Sequence, residues 1–340
     1  MNLALLLGLA HGLSDAIAGA LVMGALLSYP PAEAALLVLL YNGLAFGFQP
    51  VAGYLLDLLG KPRFAAPLGL ALTAAGLSVW GLNFRLAMAL VGFGSCLFHA
   101  GAGAQSLLLS PGRASAPGLF AGFGVIGQAL GFLFWDKLPA APLLVLVTGF
   151  AAALWFFPAR SIPRPDFAPP AWNSLPWVTL SALLLAVGLR SYIWVGFSSS
   201  LPESDSLALG LALAAGAGKL SGGFFADRLG WRRYALVGLG LSGLALGAGL
   251  IQPFLLLPGV FLLQSLTPLS LAAVGKLLPQ TPSLAAGLVL GTGVIIGGLP
   301  YMLQADGWFS PFLLFAVLLL AGLFYALGLR GKNQPVLEKE

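Results

Sequence analysis

From Leu3 to Ser28 the chain carries a single charged side chain, Asp15, and apolar runs of similar length recur to its end, broken by short clusters of charge, proline and glycine. A bilayer core roughly 30 Å thick is crossed by about 20 helical residues rising about 1.5 Å each, so runs of this kind read as membrane-spanning helices. Composition agrees: 59% of the residues are hydrophobic and 8% charged, where a soluble domain carries about 25% charge. The two-residue alternation of outer-membrane barrels is missing, which leaves an all-α membrane protein. The breaks give twelve spans: 3–28, 33–56, 65–83, 86–109, 116–135, 140–158, 176–198, 205–226, 234–251, 254–277, 283–304 and 309–329. The first has no basic leader or clear cleavage site and reads as a retained helix. The one cysteine, Cys96, excludes an intramolecular disulfide.

The longest polar connection, ARSIPRPDFAPPAWNS over 159–174, follows the sixth span and holds four prolines, as an extended linker does. It divides the chain into a six-helix bundle over 1–158 and a second over 175–340 that ends in a short cytoplasmic tail. Lysine and arginine set the orientation. With the N-terminus inside, twelve of them fall in cytoplasmic segments, and only Arg85 and Lys137 lie in outer loops. That bias follows the positive-inside rule, so both termini are expected in the cytoplasm of the cell (inner) membrane. The net charge of +5 is thereby a topology signal and not a nucleic-acid footprint.

The halves are related. GYLLDLLGKPR (53–63) and GFFADRLGWRR (223–233) align Gly53, Asp57, Gly60 and Arg63 with Gly223, Asp227, Gly230 and Arg233, each displaced by 170. Gly118, Gly122 and Gly124 of the fifth span recur at Gly287, Gly291 and Gly293 of the eleventh, displaced by 169. Two repeats sharing nearly one offset indicate a duplicated six-span unit. GFFADRLGWRR, with Arg228, Arg232 and Arg233, resembles the G-x-x-x-D-R-x-G-R-R/K loop signature of the major facilitator superfamily. It stands where that superfamily carries it, between spans 8 and 9 and mirrored between 2 and 3. The resemblance implies twelve helices in two pseudo-symmetric bundles, and a latch that holds one conformation shut. Asp227 can pair with nearby arginines or face a helix N-terminus. Leu58 and Pro62 interrupt the basic pattern of the first copy, so that latch is expected to be the weaker. CLFHAGAGAQSLL (96–108), LRSYIWVGFSSSLP (189–202) and the stretch from Lys276 to Trp308 further resemble the fosmidomycin-resistance branch. Ala100–Gly101 and Lys276 depart from its Pro–Glu and glutamate.

A charge at the bilayer centre costs about 2.5–3.5 kcal/mol on insertion scales, so polar residues inside spans are site candidates. His11 and Asp15 stand at i and i+4, on one helix face. In the fold the resemblance implies, spans 1, 4, 7 and 10 line a central cavity, which His11, Asp15, His99 and Arg190 would face. Asn42, Gln49, Gln105, Tyr192 and Gln264 could complete the lining. Asp15 would be the protonatable coupling group, His99 would share or relay the proton, and Arg190 would hold an anionic substrate or alternate as the counter-ion of Asp15. Lys219, eight residues before Asp227, is expected to snorkel to the cytoplasm. In the fifth span, Gly118/Gly122 and Gly127/Gly131 are close-packing steps. Gln128 follows Gly127 where antiporters of the superfamily carry proline.

The expected function is that of a secondary transporter and not an enzyme: a proton-coupled exporter of a drug or small metabolite, working by alternating access. It would need no cofactor beyond the proton gradient, bind no nucleic acid and act as a monomer in the bilayer. The alternative is a divalent-metal transporter using His11, Asp15, Cys96 and His99, donors that suit Zn, Ni, Co or ferrous iron. An intramembrane enzyme built on Ser95 and the histidines is the remote reading, since no nucleophile motif accompanies them.

Overall fold

The computed structural model describes residues 2–157, 169, 170, 173, 175–200, 205–302 and 311–330, with 197–200, 205, 299–302 and 311 described by backbone alone. Nearly all of the linker at 159–174 lies outside the described residues. Twelve helical rods account for the rest. They are α1 (Leu3–Ser28), α2 (Pro31–Leu58), α3 (Pro62–Val79), α4 (Phe84–Leu109), α5 (Ser115–Leu133) and α6 (Ala140–Trp155). The second half holds α7 (Trp177–Ser200), α8 (Asp205–Leu229), α9 (Trp231–Gly249), α10 (Pro253–Leu277), α11 (Pro282–Met302) and α12 (Pro311–Gly328). Each matches one expected span within a few residues. Seven of the rods are long and apolar enough to cross a membrane on length and composition alone. The protein is a multi-pass membrane protein. Its outer surface exposes large apolar side chains such as Val145, Leu244, Ile251 and Leu319, as contact with lipid requires.

Local chemistry sets the ends. Asn2 caps α1 by accepting the Ala4 N–H at 3.0 Å, and Asn83 caps α4 by accepting the Leu86 N–H at 3.0 Å. Pro30 and Pro31 break the chain between α1 and α2. Midway along α2, residues Gly43–Gly47 make a π turn that shifts the helix register beside α4 and α11. Gly60 and Gly230, the last glycines of the two repeats, both sit at positive φ, 63° and 83°, where a Cβ would be strained.

The repeats do the same work twice, each time between the halves. Asp57, buried at the end of α2, accepts the backbone N–H groups of Ser283 (3.1 Å) and Leu284 (2.8 Å), the first turn of α11. Asp227, near the end of α8, accepts those of Ala114 (2.9 Å) and Ser115 (3.2 Å), where α5 begins. Each carboxylate thus satisfies the orphan donors of a helix from the opposite half, at the positive end of its dipole. Earlier in each repeat, Gly53 lies against the Ser283 carbonyl and Gly223 against the Ala114 carbonyl, so close that no side chain fits. Gly118 and Gly122 of α5 pack on α8, and Gly287 and Gly291 of α11 pack on α2, which lets the helices meet across the halves.

Of the two partners the sequence allowed Asp227, arginines or a helix N-terminus, the structure has the helix N-terminus. Among the described residues neither aspartate forms an ion pair with an arginine. Arg63 lies over the Phe64 ring at 4.4 Å instead, and Arg228, Arg232 and Arg233 are not partners of Asp227. Both copies make the helix-capping contact, so the loss of an arginine at Leu58 removes nothing from the first. What the second copy adds is the buried Trp231, whose indole N–H donates to Asp227 at 3.0 Å; Lys61 stands at that place in the first.

Charge-assisted hydrogen bonds contribute about 1.5–3 kcal/mol each. The double substitution Asp57→Ala/Asp227→Ala should therefore open this end of the molecule. Cysteine pairs placed across α2–α11 and α5–α8 should crosslink at least several-fold more slowly than in the parent chain; unchanged crosslinking would show that the caps do not hold it shut.

Candidate transport cavity and its buried triad

Above the capped end lies a cavity of about 860 Å³. Its walls run from His11, Asp15 and Arg190 out to Leu26, Ala32 and Leu36, so it opens at the end where α1 turns into α2, opposite the caps. Helices α1, α4, α7 and α10 all contribute to the lining, as expected, and α2, α5, α8 and α11 complete it.

The first half supplies a triad. His11 and Asp15 from α1 meet His99 from α4: His11 Nε2 is 2.9 Å from His99 Nε2 and 3.1 Å from Asp15 Oδ2, and Asp15 Oδ1 is 3.8 Å from His99 Nε2. Both histidines are buried, while the Asp15 side chain keeps 15% of its surface open to the cavity. The rings are held from behind. His11 Nδ1 donates to the Phe120 carbonyl at 2.8 Å, and its ring stacks on that of Phe120 with centroids 4.5 Å apart. His99 Nδ1 donates to the Ser95 carbonyl at 2.8 Å, one turn back in α4. Phe46, on the π turn of α2, sets its ring against His99. Gly124 is what makes room: a Cβ there would collide with the His11 imidazole and the Asp15 carboxylate.

The second half supplies cations. Arg190 on α7 is buried and donates from Nη1 to Gln264 Oε1 on α10 at 3.0 Å, while its Nε has no hydrogen-bond partner. Thr267 donates to the same Gln264 oxygen at 3.3 Å. No described carboxylate pairs with Arg190. Lys219 on α8 does not snorkel to the cytoplasm; it lines the cavity, near enough to Asp15 and Arg190 for their charges to interact. Eight helical residues before Asp227 is a depth of about 12 Å, a signal the sequence already contained.

Of the residues expected in the lining, His11, Asp15, His99, Arg190, Asn42 and Gln264 are there. Three are not. Gln49 is turned into its own helix, donating to Ala45 O at 2.7 Å, and Gln105 does the same toward Gly101 O at 3.3 Å. Tyr192, two residues after Arg190, packs on the core outside the lining. A helix shows a cavity only one stripe, and these three fall on others. Cys96 is likewise buried away from the triad, against Ala52 and Leu97. Among the described residues, His11, Asp15 and His99 alone bring nitrogen and oxygen donors within 4.8 Å of one another, so the four-residue metal set is not assembled. Sequence reasoning passed over Tyr41, Trp194 and Gln128, which also face the cavity.

Solved structures match this arrangement over almost its whole length. A crystal structure of a variant of the Escherichia coli fucose:proton symporter, FucP, superposes with a TM-score of 0.69 at 15% identity, covering 96% of this chain and 97% of that one. A second, described as a major facilitator superfamily transporter, FucP, in the outward conformation, gives 0.64 at 15% identity, with 96% of each chain covered. The fold is that of the major facilitator superfamily. Among curated proteins, the fosmidomycin resistance protein of Escherichia coli strain K12 is 26% identical over 295 positions, 74% of this chain and 71% of that protein. No family model matches the chain.

Within the major facilitator fold, Gly124 is the residue whose size the triad depends on. Gly124→Ala should leave the protein folded and membrane-inserted but displace His11 from Asp15, cutting gradient-driven flux by tenfold or more in proteoliposomes. Full flux in a well-folded Gly124→Ala protein would show that the packing of the triad is not needed.

Proposed function

We propose that this chain is a secondary transporter that works by alternating access and exports a small anionic drug or metabolite in exchange for protons. The observation that carries this reading is the polarity of the cavity across its two halves. On one wall the half-buried Asp15 stands against two buried histidines, and on the other Arg190 and Lys219 face the space without a carboxylate of their own. A buried guanidinium with a bare Nε is stabilised by an anion that fills the remaining donor positions. Imidazoles set against a carboxylate form a cluster whose charge changes with proton supply.

Alternating access follows from the two caps. They seal the end that lysine and arginine placement assigns to the cytoplasm, and the cavity is open at the other, so this conformation faces outward. Turning inward requires Asp57 and Asp227 to release the α11 and α5 N-termini while the halves rock about the site. Proton coupling agrees with a fold shared with a fucose:proton symporter. Export of a drug or small metabolite draws on the likeness to a fosmidomycin resistance protein. Metal transport is the weaker reading, because Cys96 faces elsewhere.

Two substitutions test the roles. Asp15→Asn should abolish uphill, gradient-driven transport in proteoliposomes while counterflow exchange persists at a reduced rate; undiminished uphill transport would remove Asp15 from coupling. Arg190→Lys keeps the charge but loses the planar fork. It should weaken binding of anionic substrates tenfold or more and leave neutral compounds unaffected, as read by competition for transport; equal loss for both would make Arg190 structural.

A further inference from the structure

We propose that His11 and His99 together hold one proton, shared between their Nε2 atoms, and that Asp15 remains ionised beside them as a standing counter-ion. This rests on the proton-coupled reading above and names the atoms that carry the proton. The argument is hydrogen-bond accounting. A carbonyl oxygen only accepts, so His11 Nδ1, facing Phe120 O at 2.8 Å, carries a hydrogen; His99 Nδ1 lies 2.8 Å from the Ser95 carbonyl and 3.1 Å from the Ser95 hydroxyl, and the shorter contact, to the carbonyl, gives it a hydrogen as well. In two neutral imidazoles both Nε2 atoms would then be bare. They face each other at 2.9 Å, a hydrogen-bond distance. Two lone pairs at that separation in a buried site repel, and buried polar atoms of native proteins are satisfied.

With both Nδ1 atoms protonated, one placement of a further proton resolves the contact. On the Asp15 carboxyl it would satisfy the 3.1 Å approach to His11 and leave the Nε2 pair unpaired. Two protons, one on each ring, would set donor against donor. A single proton between the Nε2 atoms makes an N–H···N bond and places an imidazolium next to Asp15, so the triad as a whole is neutral. The other ionisable groups around it come from three helices: Tyr41 on α2, Arg190 on α7 and Lys219 on α8. α5 adds only the Phe120 carbonyl and ring and the space at Gly124. α6 has no ionisable residue, and Arg63 of α3 stands far off at the capped end.

The consequence for the cavity is electrostatic. With the proton in place the triad presents no net charge; when it leaves, Asp15 becomes an uncompensated anion facing Arg190 and Lys219 across one space. The charge those cations face is thereby set by the proton, and any coupling to a substrate anion acts through them.

The chain has only two histidines, so ¹⁵N-histidine labelling of the whole protein in lipid vesicles reads this pair alone. Solid-state NMR near neutral pH should find both Nδ1 protonated and a direct coupling between the two Nε2 nitrogens through one hydrogen. That coupling should be lost in His99→Gln, and raising the pH should release a single proton per chain from the pair. A bare Nδ1 on either ring, two neutral rings with no coupling, or one tightly held metal ion per chain in the proton's place would overturn the proposal; the wild-type spectrum decides this even if the variant does not fold. Flux in the same vesicles separates the two claims. Flux driven by a pH gradient without the NMR signature removes the shared proton and leaves the transport reading intact. The signature with flux indifferent to the gradient leaves the proton site and removes proton coupling.

Discussion

Two aspartates each accept backbone N–H groups from a helix of the opposite half, and these contacts join the halves at the closed end of the molecule. A helix N-terminus near the edge of a membrane has donors that neither lipid nor its own helix can satisfy, and a carboxylate is their best partner. Asp57 on α11 and Asp227 on α5 supply it. The cavity lies at the other end of the molecule from those contacts. The glycines at 53 and 223 matter because the capped backbone has to come within contact distance of the aspartate's own helix.

Inside the cavity the governing quantity is unbalanced charge in a low dielectric. Asp15 is tolerable at mid-membrane because two imidazoles stand against it, and those imidazoles are oriented by carbonyls that fix which nitrogen faces forward. Arg190 and Lys219 have no such partner among the described carboxylates. A site divided in this way sets a carboxylate–imidazole cluster on one wall against two cations on the other, across one space.

Much of this was legible in the sequence, for identifiable reasons. The twelve spans follow from the length of apolar runs, which the bilayer thickness dictates. The duplication was visible because glycine and aspartate recur at one offset, and those positions turned out to be the inter-half contacts themselves. His11, Asp15, His99 and Arg190 stood out because polar residues are expensive in hydrocarbon, and the structure brings the first three within reach of one another. The same rule also selected Gln49, Gln105 and Tyr192, which it could not sort. An amide can satisfy itself on its own helix, and depth in the membrane says nothing of which way a side chain points. Lys219 was misjudged on the same account: a long side chain can reach water along the helix or enter a cavity, and only the position of α8 beside that cavity decides.

The sequence by itself determined that the chain lies in a membrane, that it is helical and duplicated, and which few residues bear charge within the apolar interior. These are properties of composition, run length and periodicity, and they need no knowledge of neighbours. The tertiary structure alone decided that the duplicated loops grip helix N-termini and not arginines, that Cys96 is remote from the histidines, and that Lys219 shares a wall with Arg190. It also set His11 Nε2 against His99 Nε2. Those facts depend on how helices rotate about their own axes and which helices they meet, and that is settled by the packing of glycine faces from distant parts of the chain.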